Sequence, residues 1–387
     1  MTAQSRGEKR MKRVNVVLAG LGFGYGFVPI YRDHPQVGTV GLYDPDMALA
    51  AKAAGQFHAD RVYASFEEVL EDPSVDAVHL ITPIPLHAEQ TVRVLESGKH
   101  CACTVPMATS LEDLQKITDA VRRSGKNYMM METTLYTYQF FYVRQMLEKG
   151  ELGRIQFLRG SHYQEMAGWP DYWMGLPPMW YGTHAIAPMR VLGGSRLARV
   201  HCFGSGTMPE WLHRQYGNPY PIETAIFAFE NGMKGEATRS LFETARAYQE
   251  GLFVYGSEAS FEWGLRDEDA PIVTQALPEA DGRRGGLTRI HTVDLPNYHQ
   301  TLPESIQKYT INTEHFDPQN PQKSLEKGAG GGHHGSHPHL VHEFICSITE
   351  GRKPWIDEVL GANITAAGIC AHLSAMQDGK EVCIPEF

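Results

Sequence analysis

Residues 14–26 read Val-Asn-Val-Val-Leu-Ala-Gly-Leu-Gly-Phe-Gly-Tyr-Gly. The apolar, β-branched run from Val14 to Ala19 predicts a buried strand, and the glycines after it predict a tight turn into a helix. Free N–H groups and the helix dipole at such a turn favour a negatively charged group. The order of strand, glycine turn and helix therefore predicts the pyrophosphate site of a dinucleotide-binding domain.

The glycines of this turn have separate tasks. Gly20 permits the tight turn, and Gly22 lets the backbone come close to a pyrophosphate. The last position of the usual Gly-x-Gly-x-x-Gly spacing falls on Tyr25, so the motif by itself is weak and depends on its context. We expect the turn to contact the cofactor through Gly20, Gly22, Phe23 and Gly24.

An acidic residue follows at the expected distance. The apolar run Val37 to Tyr43 ends in Asp44-Pro45-Asp46, which places a carboxylate to bind the adenosine ribose. Two carboxylates there would repel a 2′-phosphate, so the sequence favours NAD over NADP. Alternatively, Asp44 merely opens a turn before Pro45.

Composition excludes several classes of protein. The chain has 387 residues, enough for about two or three domains, and a formal charge of −10, which does not suggest a nucleic-acid or membrane partner. No apolar stretch reaches membrane-spanning length, and residues 1–12 are expected to be a disordered arm. Six scattered cysteines without a Cys-x-x-Cys pair indicate reduced thiols. We expect a cytoplasmic protein.

Further strands and helices alternate along the first third of the chain. Val75 to Ile81 predicts a strand, and it runs into Thr82, Pro83 and His87. The strand His100 to Cys103 runs into Thr104, Val105 and Pro106, and a helix from Leu111 to Ser124 follows, capped by Ser110. This alternation predicts a parallel, doubly wound α/β sheet, which binds ligands at the carboxyl ends of its strands.

These motifs, in this order, resemble those of the Gfo/Idh/MocA family of NAD(P)-dependent sugar-acting proteins. The resemblance extends to residues 357–375, which are similar to the family's closing helix. It implies a Rossmann domain over residues 13–133 and a C-terminal α/β domain with a large open, mainly antiparallel sheet over residues 134–387. It also implies bound NAD, a small sugar or glycoside as partner, and a homo-oligomer of two or four copies. Thr82, Pro83, His87, Thr104, Val105 and Pro106 would contact the cofactor.

The chain departs from the family's dehydrogenases at two positions. Where those enzymes have Glu-Lys-Pro, this chain has Thr104-Val105-Pro106, and the aspartate of the later Asp-x-Gly-x-His motif is also missing. Valine cannot accept the proton that an alcohol loses on oxidation, so another group must act as base. On a helix, Tyr181 and His184 would lie on one face.

The Tyr-x-x-His motif followed by Ala-Pro is similar to that of the family's NAD-dependent glycosidases, which include α-N-acetylgalactosaminidases and sulfoquinovosidases. Those enzymes also tend to have Val-Pro and a Glu-x-x-x-Tyr motif, here Glu132 to Tyr136. The resemblance implies transient oxidation at sugar carbon 3, elimination across carbons 1 and 2, addition of water and re-reduction. Its catalytic residues would be Tyr181, His184, Glu132 and Tyr136.

Simpler roles remain open for these residues. Tyr181 and His184 could be core residues at a domain junction, Glu132 an ordinary solvated acid, and His87 a helix cap. The alternative functions are a plain NAD-dependent sugar dehydrogenase and a cofactor-binding regulator without catalysis.

Several residues are candidates for sugar binding. Aromatic faces stack on sugar rings, which favours Trp169 and Trp173. His162 and Tyr163 follow a strand expected at residues 155–160, and strand alternation would let one of them face the pocket. The histidine-rich segment 328–339 predicts a mobile loop over the sugar, with His334 and His337 as contacts and no metal. Residues 265–335 are expected to form an irregular insertion, and residues 340–387 to form returning helices.

Overall fold

The computed structural model describes residues 13–246, 248–266, 269–278, 285–310 and 332–387. The arm expected at residues 1–12 lies outside them. The described chain forms two sheets, each covered by helices.

The first sheet has six parallel strands in the order β3-β2-β1-β4-β5-β6. Its strands are β1 Val14–Ala19, β2 Val37–Tyr43, β3 Arg61–Val62, β4 Ala77–Leu80, β5 His100–Cys103 and β6 Tyr128–Met130. Its helices are α1 Val28–Asp33, α2 Met47–Phe57, α3 Phe66–Glu71, α4 His87–Glu96 and α5 Leu111–Ser124. The strand order reverses between β1 and β4, so their carboxyl ends form the crevice in which such sheets bind ligands.

The second sheet has nine strands and is mainly antiparallel, in the order β14-β13-β12-β11-β7-β10-β9-β8-β15. Its strands are β7 Ile155–Tyr163, β8 Leu197–Ser205, β9 Ile222–Phe229, β10 Lys234–Ser240, β11 Gln249–Gly256, β12 Ala259–Glu262, β13 Ile272–Leu277, β14 Leu287–Thr292 and β15 Val382–Cys383. Its helices are α6 Tyr138–Glu148, α7 Thr183–Leu192, α8 Glu210–His213, α9 Glu304–Gln307, α10 Gly332–Glu350 and α11 Glu358–Ala375. The predicted fold class, a doubly wound parallel sheet followed by a mainly antiparallel one, is confirmed.

The expectation that residues 265–335 form an irregular insertion is wrong for part of this range. β13 and β14 lie within it and pair with each other and with β12, so they extend the second sheet at one edge. Their exposed faces are largely polar, which hid the strand pattern from sequence reasoning. Residues 279–284 and 311–331 of this region lie outside the described part of the chain.

The expected loop at residues 328–339 is also corrected. Residues 328–331 lie outside the described ranges, and from Gly332 the chain is helical with a kink. His333, His334 and Gly335 have φ values of 49°, 52° and 78°, which form a left-handed turn before the regular part of α10. This turn sets the directions of the histidine side chains.

Close packing fixes helix α7 on the second sheet. A Cβ on Gly160 of β7 would lie 2.0 Å from the carbonyl oxygen of Ala185, so only glycine lets the helix approach this closely. A Cβ on Gly368 of the buried helix α11 would lie 2.2 Å from the carbonyl oxygen of Met179. These two contacts determine the position of the segment that carries Tyr181 and His184.

Within the described ranges, no helix has the length and apolar character needed to cross a membrane. The cytoplasmic location, the domain boundaries and the homo-oligomer stay predictions.

Candidate active site

A cavity of about 540 Å³ lies between the carboxyl ends of the parallel strands and the second sheet. One side, which we call the loop wall, consists of Phe23, Thr82, His87, Thr104 and Val105. The other side, which we call the histidine wall, consists of Tyr181, His184, Tyr248, His333 and His334. Trp169 and Trp173 line its outer part, and their rings meet edge to face at 5.5 Å.

The glycine turn beside the loop wall fits a dinucleotide. Gly20 has φ +96°, and a Cβ there would lie 2.3 Å from the carbonyl oxygen of Ile81, so the position requires glycine. At Gly22 no protein atom lies within 4 Å of the place that a Cβ would take, which leaves room for a pyrophosphate. Gly24 approaches Ile81 closely, and Tyr25 points away to Gln56.

Asp44 connects the end of β2 to this turn. Its Oδ2 accepts a hydrogen bond from the backbone N–H of Leu21 at 2.6 Å, and its Oδ1 accepts one from Asp46 at 2.8 Å. The carboxylate therefore orders the turn, and it is partly exposed, as a group that binds ribose must be.

His87 joins the two loops that follow β4 and β5. Its Nδ1 lies 2.8 Å from the carbonyl oxygen of Pro106, and its Nε2 lies 2.9 Å from that of Thr82. Burial lowers the pKa of its imidazole. Both ring nitrogens thus face backbone carbonyls, and the neutral ring donates to one of them, which makes His87 a positioning residue for Thr104 and Val105. Pro83 and Pro106 shape these loops without lining the cavity.

A buried carboxylate and imidazole form the centre of the histidine wall. His184 Nδ1 donates to Glu132 Oε1 at 2.6 Å, and that oxygen also accepts from the N–H and hydroxyl of Thr134. Burial alone would raise the pKa of the Glu132 carboxyl, but the His184 imidazole and these hydrogen bonds lower it. Among the described residues, His184 Nε2 is buried and has no hydrogen-bond partner. This pair can accept a proton from a bound molecule.

Tyr181 lies beside this pair. Its ring meets His184 at 5.4 Å and Trp173 at 4.8 Å, and the guanidinium of Arg239 lies 5.1 Å from its centroid. Burial raises the pKa of the Tyr181 hydroxyl. Arg239 is fully buried and donates to the carbonyls of Tyr181, His162 and Ser240 and to Gln164. It is therefore a structural cation that fixes Tyr181.

Sequence reasoning missed Glu250 and Tyr248. Glu250 is 2% exposed, and its Oε1 accepts from the Tyr248 hydroxyl at 2.5 Å and lies 3.4 Å from His333 Nδ1. Burial would raise the pKa of the Glu250 carboxyl, but the nearby His333 and His184 lower it to about 2. The only available signal was a pair of polar residues at the start of β11, which does not specify a site.

Strand β7 reaches Tyr163, three residues beyond the predicted end. Its register pairs His162 with Glu250 of β11, so His162 lies buried behind His184 at a ring distance of 4.8 Å. Burial lowers the pKa of the His162 imidazole, and neither ring nitrogen has a hydrogen-bond partner in the described part of the chain. Tyr163 points to the opposite face of the sheet, beside Gln249, and is not at this cavity.

Two further candidates also lie away from the cavity. His337 stacks on Phe27 at 4.2 Å, and burial lowers its pKa, so it is a neutral core residue. Tyr136 packs edge to face on Trp355 and Phe141, and its buried hydroxyl has no hydrogen-bond partner within the described ranges. His334 does line the cavity, with its Nδ1 3.1 Å from Gln139 Nε2.

His162, His184 and Glu250 each bring one donor atom into a buried group in which these atoms all lie within 4.8 Å of one another. One nitrogen of His184 already donates to Glu132. The expectation of a site without metal stays a prediction.

Comparison with known proteins gives two family matches. Residues 14–132 match the oxidoreductase family with an NAD-binding Rossmann fold, and residues 140–262 match the Gfo/Idh/MocA C-terminal domain. The N-terminal domain is therefore the NAD-binding Rossmann domain of this family, as predicted.

The relatives include both enzyme types that the sequence suggested. Levoglucosan dehydrogenase of Pseudarthrobacter phenanthrenivorans is 28% identical over 76% of this chain and 83% of its own. A glycosyl hydrolase family 109 protein of Porphyromonas gingivalis is 28% identical over 63% of this chain and 57% of its own.

A crystal structure of levoglucosan dehydrogenase with NADH superposes with a TM-score of 0.76 at 22% identity, over 97% of this chain and 100% of that one. A second structure, with NADH and levoglucosan, gives a TM-score of 0.74. With both domains matched in order, the chain belongs to the Gfo/Idh/MocA family of NAD-binding oxidoreductases.

Proposed function

We propose that the protein is an NAD-dependent glycoside hydrolase that oxidises its sugar only transiently. The observation that carries this proposal is the buried Glu132–His184 pair at a cavity where the dehydrogenase lysine is replaced by Val105. The chain thus keeps a carboxylate–imidazole pair that can accept a proton and lacks the lysine that the family's dehydrogenases use. The similarity to glycosyl hydrolase family 109 proteins also supports a glycoside hydrolase.

The glycine turn, Asp44, Thr82 and Thr104 would hold NAD against the loop wall. Bound NAD supplies a reversible two-electron oxidation at sugar carbon 3, so none is consumed over a full cycle. A ketone at carbon 3 acidifies the hydrogen on carbon 2. A general base can then remove that proton.

His184 is the group best suited to this proton transfer. Its Nδ1–H is fixed by Glu132, which leaves Nε2 as the basic atom and places a negative charge behind the imidazolium once it forms. Tyr181, held by Arg239 and Trp173, brings a hydroxyl to the same side of the sugar. Trp169 and Trp173 offer aromatic faces for stacking on the sugar ring.

The test is turnover in D₂O with aryl glycosides and a catalytic amount of NAD. Because a proton removed from carbon 2 exchanges before water adds, the released sugar should carry deuterium at carbon 2. Direct displacement at carbon 1 would leave carbon 2 unlabelled, and that result would overturn the proposal.

A net sugar dehydrogenase is the second candidate, and the similarity to levoglucosan dehydrogenase over nearly the whole chain favours it. It would reduce one NAD for each sugar oxidised and release no phenol. Absorbance of NADH and of the released nitrophenol, followed in one cuvette, distinguishes the two functions.

A further inference from the structure

Aromatic side chains form a continuous surface from the centre of the cavity to its mouth. The centroid of the Trp173 ring lies 4.8 Å from that of Tyr181, 5.5 Å from that of Trp169 and 5.6 Å from that of Tyr172. Trp173 is 6% exposed and Trp169 is 44% exposed, so the surface runs outward from Tyr181. We call Trp169, Tyr172 and Trp173, which all line the cavity, the aromatic shelf.

The aromatic shelf is held firmly from behind. The Tyr216 hydroxyl donates to the carbonyl of Tyr172 at 2.6 Å, and Trp173 belongs to a buried hydrophobic cluster that also contains Leu212. Just after the shelf, Gly175 has φ +77°, and a Cβ there would lie 1.8 Å from the carbonyl oxygen of Leu212. A ligand that stacks on the shelf therefore does not have to order this loop first, which removes one of the costs of binding.

Polar side chains lie at the inner end of the cavity. Thr133, Gln164 and His184 line it and are at most 9% exposed, and Glu132 lies behind His184. A sugar ring carries hydroxyl groups on most of its carbons, and hydroxyls that become buried need hydrogen-bond partners. The inner end offers such partners, whereas the shelf offers mainly the faces of aromatic rings. The sugar therefore fits the inner end.

The aromatic shelf extends beyond the place of the sugar. Proton transfer at carbon 2 requires the sugar to lie beside His184 and Tyr181, so Trp173 is the first part of the shelf that the sugar reaches. Carbon 3 faces the cofactor on the loop wall, so the outer part of the shelf, Trp169 and Tyr172, is left for a group attached to carbon 1. This outer part carries no charge, and its surface matches an apolar, planar group.

We propose that the aromatic shelf binds an aromatic aglycone, with the sugar along its inner part and the aglycone along its outer part. This inference rests on the proposed function, and it makes aryl glycosides the substrate class. Stacking between two aromatic rings strengthens binding by about two- to tenfold beyond the effect of the apolar area that is buried. The shelf therefore selects aryl glycosides over glycosides with a small aliphatic aglycone.

Binding without turnover tests the shelf. Protein saturated with NADH cannot oxidise a sugar, so calorimetric titration of this complex measures its affinity for intact glycosides. The ligands are methyl, cyclohexyl, phenyl and 2-naphthyl glycosides of glucose, galactose and their 2-acetamido forms, in both anomers. Cyclohexyl and phenyl groups are similar in size, so their comparison separates stacking between aromatic rings from the burial of apolar surface.

Within the sugar that binds best, we expect the 2-naphthyl glycoside to bind about 10–100-fold more tightly than the methyl glycoside. The phenyl glycoside should bind about two- to tenfold more tightly than the cyclohexyl one. Trp169→Ala should lower the affinity for the naphthyl glycoside about tenfold and leave that for the methyl glycoside within about twofold, which also shows that the variant folds. Trp169→Phe should recover most of the lost affinity.

Trp211→Ala is the matched control, since Trp211 is 59% exposed and lies outside the lining of the cavity. Equal affinities for phenyl and cyclohexyl glycosides, the same loss in Trp169→Ala and Trp211→Ala, or no binding of any naphthyl glycoside would overturn the inference. Failure of the proposed function has a different signature, because the wild type would then reduce NAD stoichiometrically and release no phenol from an aryl glycoside. The titration involves no turnover, so it judges the shelf separately from that result.

Discussion

The two walls of the cavity are built from different parts of the fold. The loop wall follows neighbouring strands of one parallel sheet, and His87, its ionisable member, has both ring nitrogens within hydrogen-bond distance of backbone carbonyls. The histidine wall collects residues from α7 and α10 and from the segments just before α7 and β11. Buried carboxylates lie behind it, and His184 Nε2 and Glu250 Oε2 lack hydrogen-bond partners among the described residues.

This difference indicates that the loop wall positions the cofactor and the histidine wall exchanges protons with the substrate. A wall whose polar groups are already satisfied can position a cofactor but cannot exchange protons with a substrate. Buried polar atoms without partners cost free energy, so their accumulation on one wall marks the place where a ligand completes the hydrogen bonding. Variants of the two walls test whether cofactor binding and proton transfer are separated in this way.

The largest effect should come from His184. Removal of a general base typically costs about 10²–10⁴-fold in rate, so we expect His184→Ala to reduce aglycone release by that factor and Tyr181→Phe to act in the same range. NADH affinity, measured by fluorescence titration, should not change, because neither side chain belongs to the loop wall. Loss of NADH binding in step with activity would contradict the separation.

The acid stability of the fold should depend on the histidine wall. The Glu250 pKa falls from 4.5 to about 2 in the folded protein, mainly because His333 and His184 outweigh the effect of burial. A carboxyl with a lowered pKa stabilises the fold above its unfolded pKa, and this contribution disappears as pH falls through the folded value. Between pH 4.5 and about 2 the wild type should therefore lose up to roughly 3 kcal/mol that Glu250→Gln does not lose.

Urea unfolding at several pH values measures this difference. Glu230→Gln is the matched control, since Glu230 is half-exposed and pairs with Arg196 at the surface. Its pH dependence should follow that of the wild type within about 0.5 kcal/mol. Parallel curves for the wild type and Glu250→Gln would show that Glu250 carries no buried charge.

The loop wall was far more predictable than the histidine wall. A strand inside a parallel sheet is largely buried on both faces, so Val14–Ala19 and Val37–Tyr43 appear as mainly apolar runs and were predicted to the residue. The helix Leu111–Ser124 was equally clear, because Ser110 caps its start and Gly125, with φ +64°, ends it. Local sequence determines these features.

Non-local pairing determines the histidine wall. Glu250 meets His184 only because β11 pairs with β7 in the register that sets it opposite His162. A shift of one residue would turn Glu250 to the other face of the sheet, where Tyr163 lies. No local pattern encodes that register, so Glu250 and Tyr248 were missed.

A glycine pair tests the loop wall directly. Neither Gly22 nor Gly26 has an atom of the described residues within 4 Å of the place that a Cβ would take, so Gly22→Ala and Gly26→Ala should both fold normally. Only Gly22 faces the expected pyrophosphate, and an extra methyl group there should weaken NADH by about 1–3 kcal/mol. Equal affinities of the two variants would place the cofactor elsewhere.

Asp44 should affect the same binding step. Asp44→Ala removes a charged acceptor from the turn and from the expected ribose contact, so we expect NAD to bind more weakly by about 1–3 kcal/mol. Asp60→Ala is the control, because Asp60 also accepts a backbone N–H, that of Val40 within β2, but does so from the residue just before β3 and not at the glycine turn. If both variants bind NAD equally well, Asp44 only orders the turn.

The smallest effect should come from Tyr136, which sequence reasoning placed among the catalytic residues. Its buried hydroxyl has no hydrogen-bond partner among the described residues, so Tyr136→Phe should change the free energy of unfolding by no more than about 0.5 kcal/mol or increase it slightly. Turnover should stay within about twofold, whereas Tyr181→Phe, the same chemical change on the histidine wall, should lower it strongly. Similar losses of turnover in these two variants would mean that the catalytic group extends beyond the cavity into the packing around Trp355.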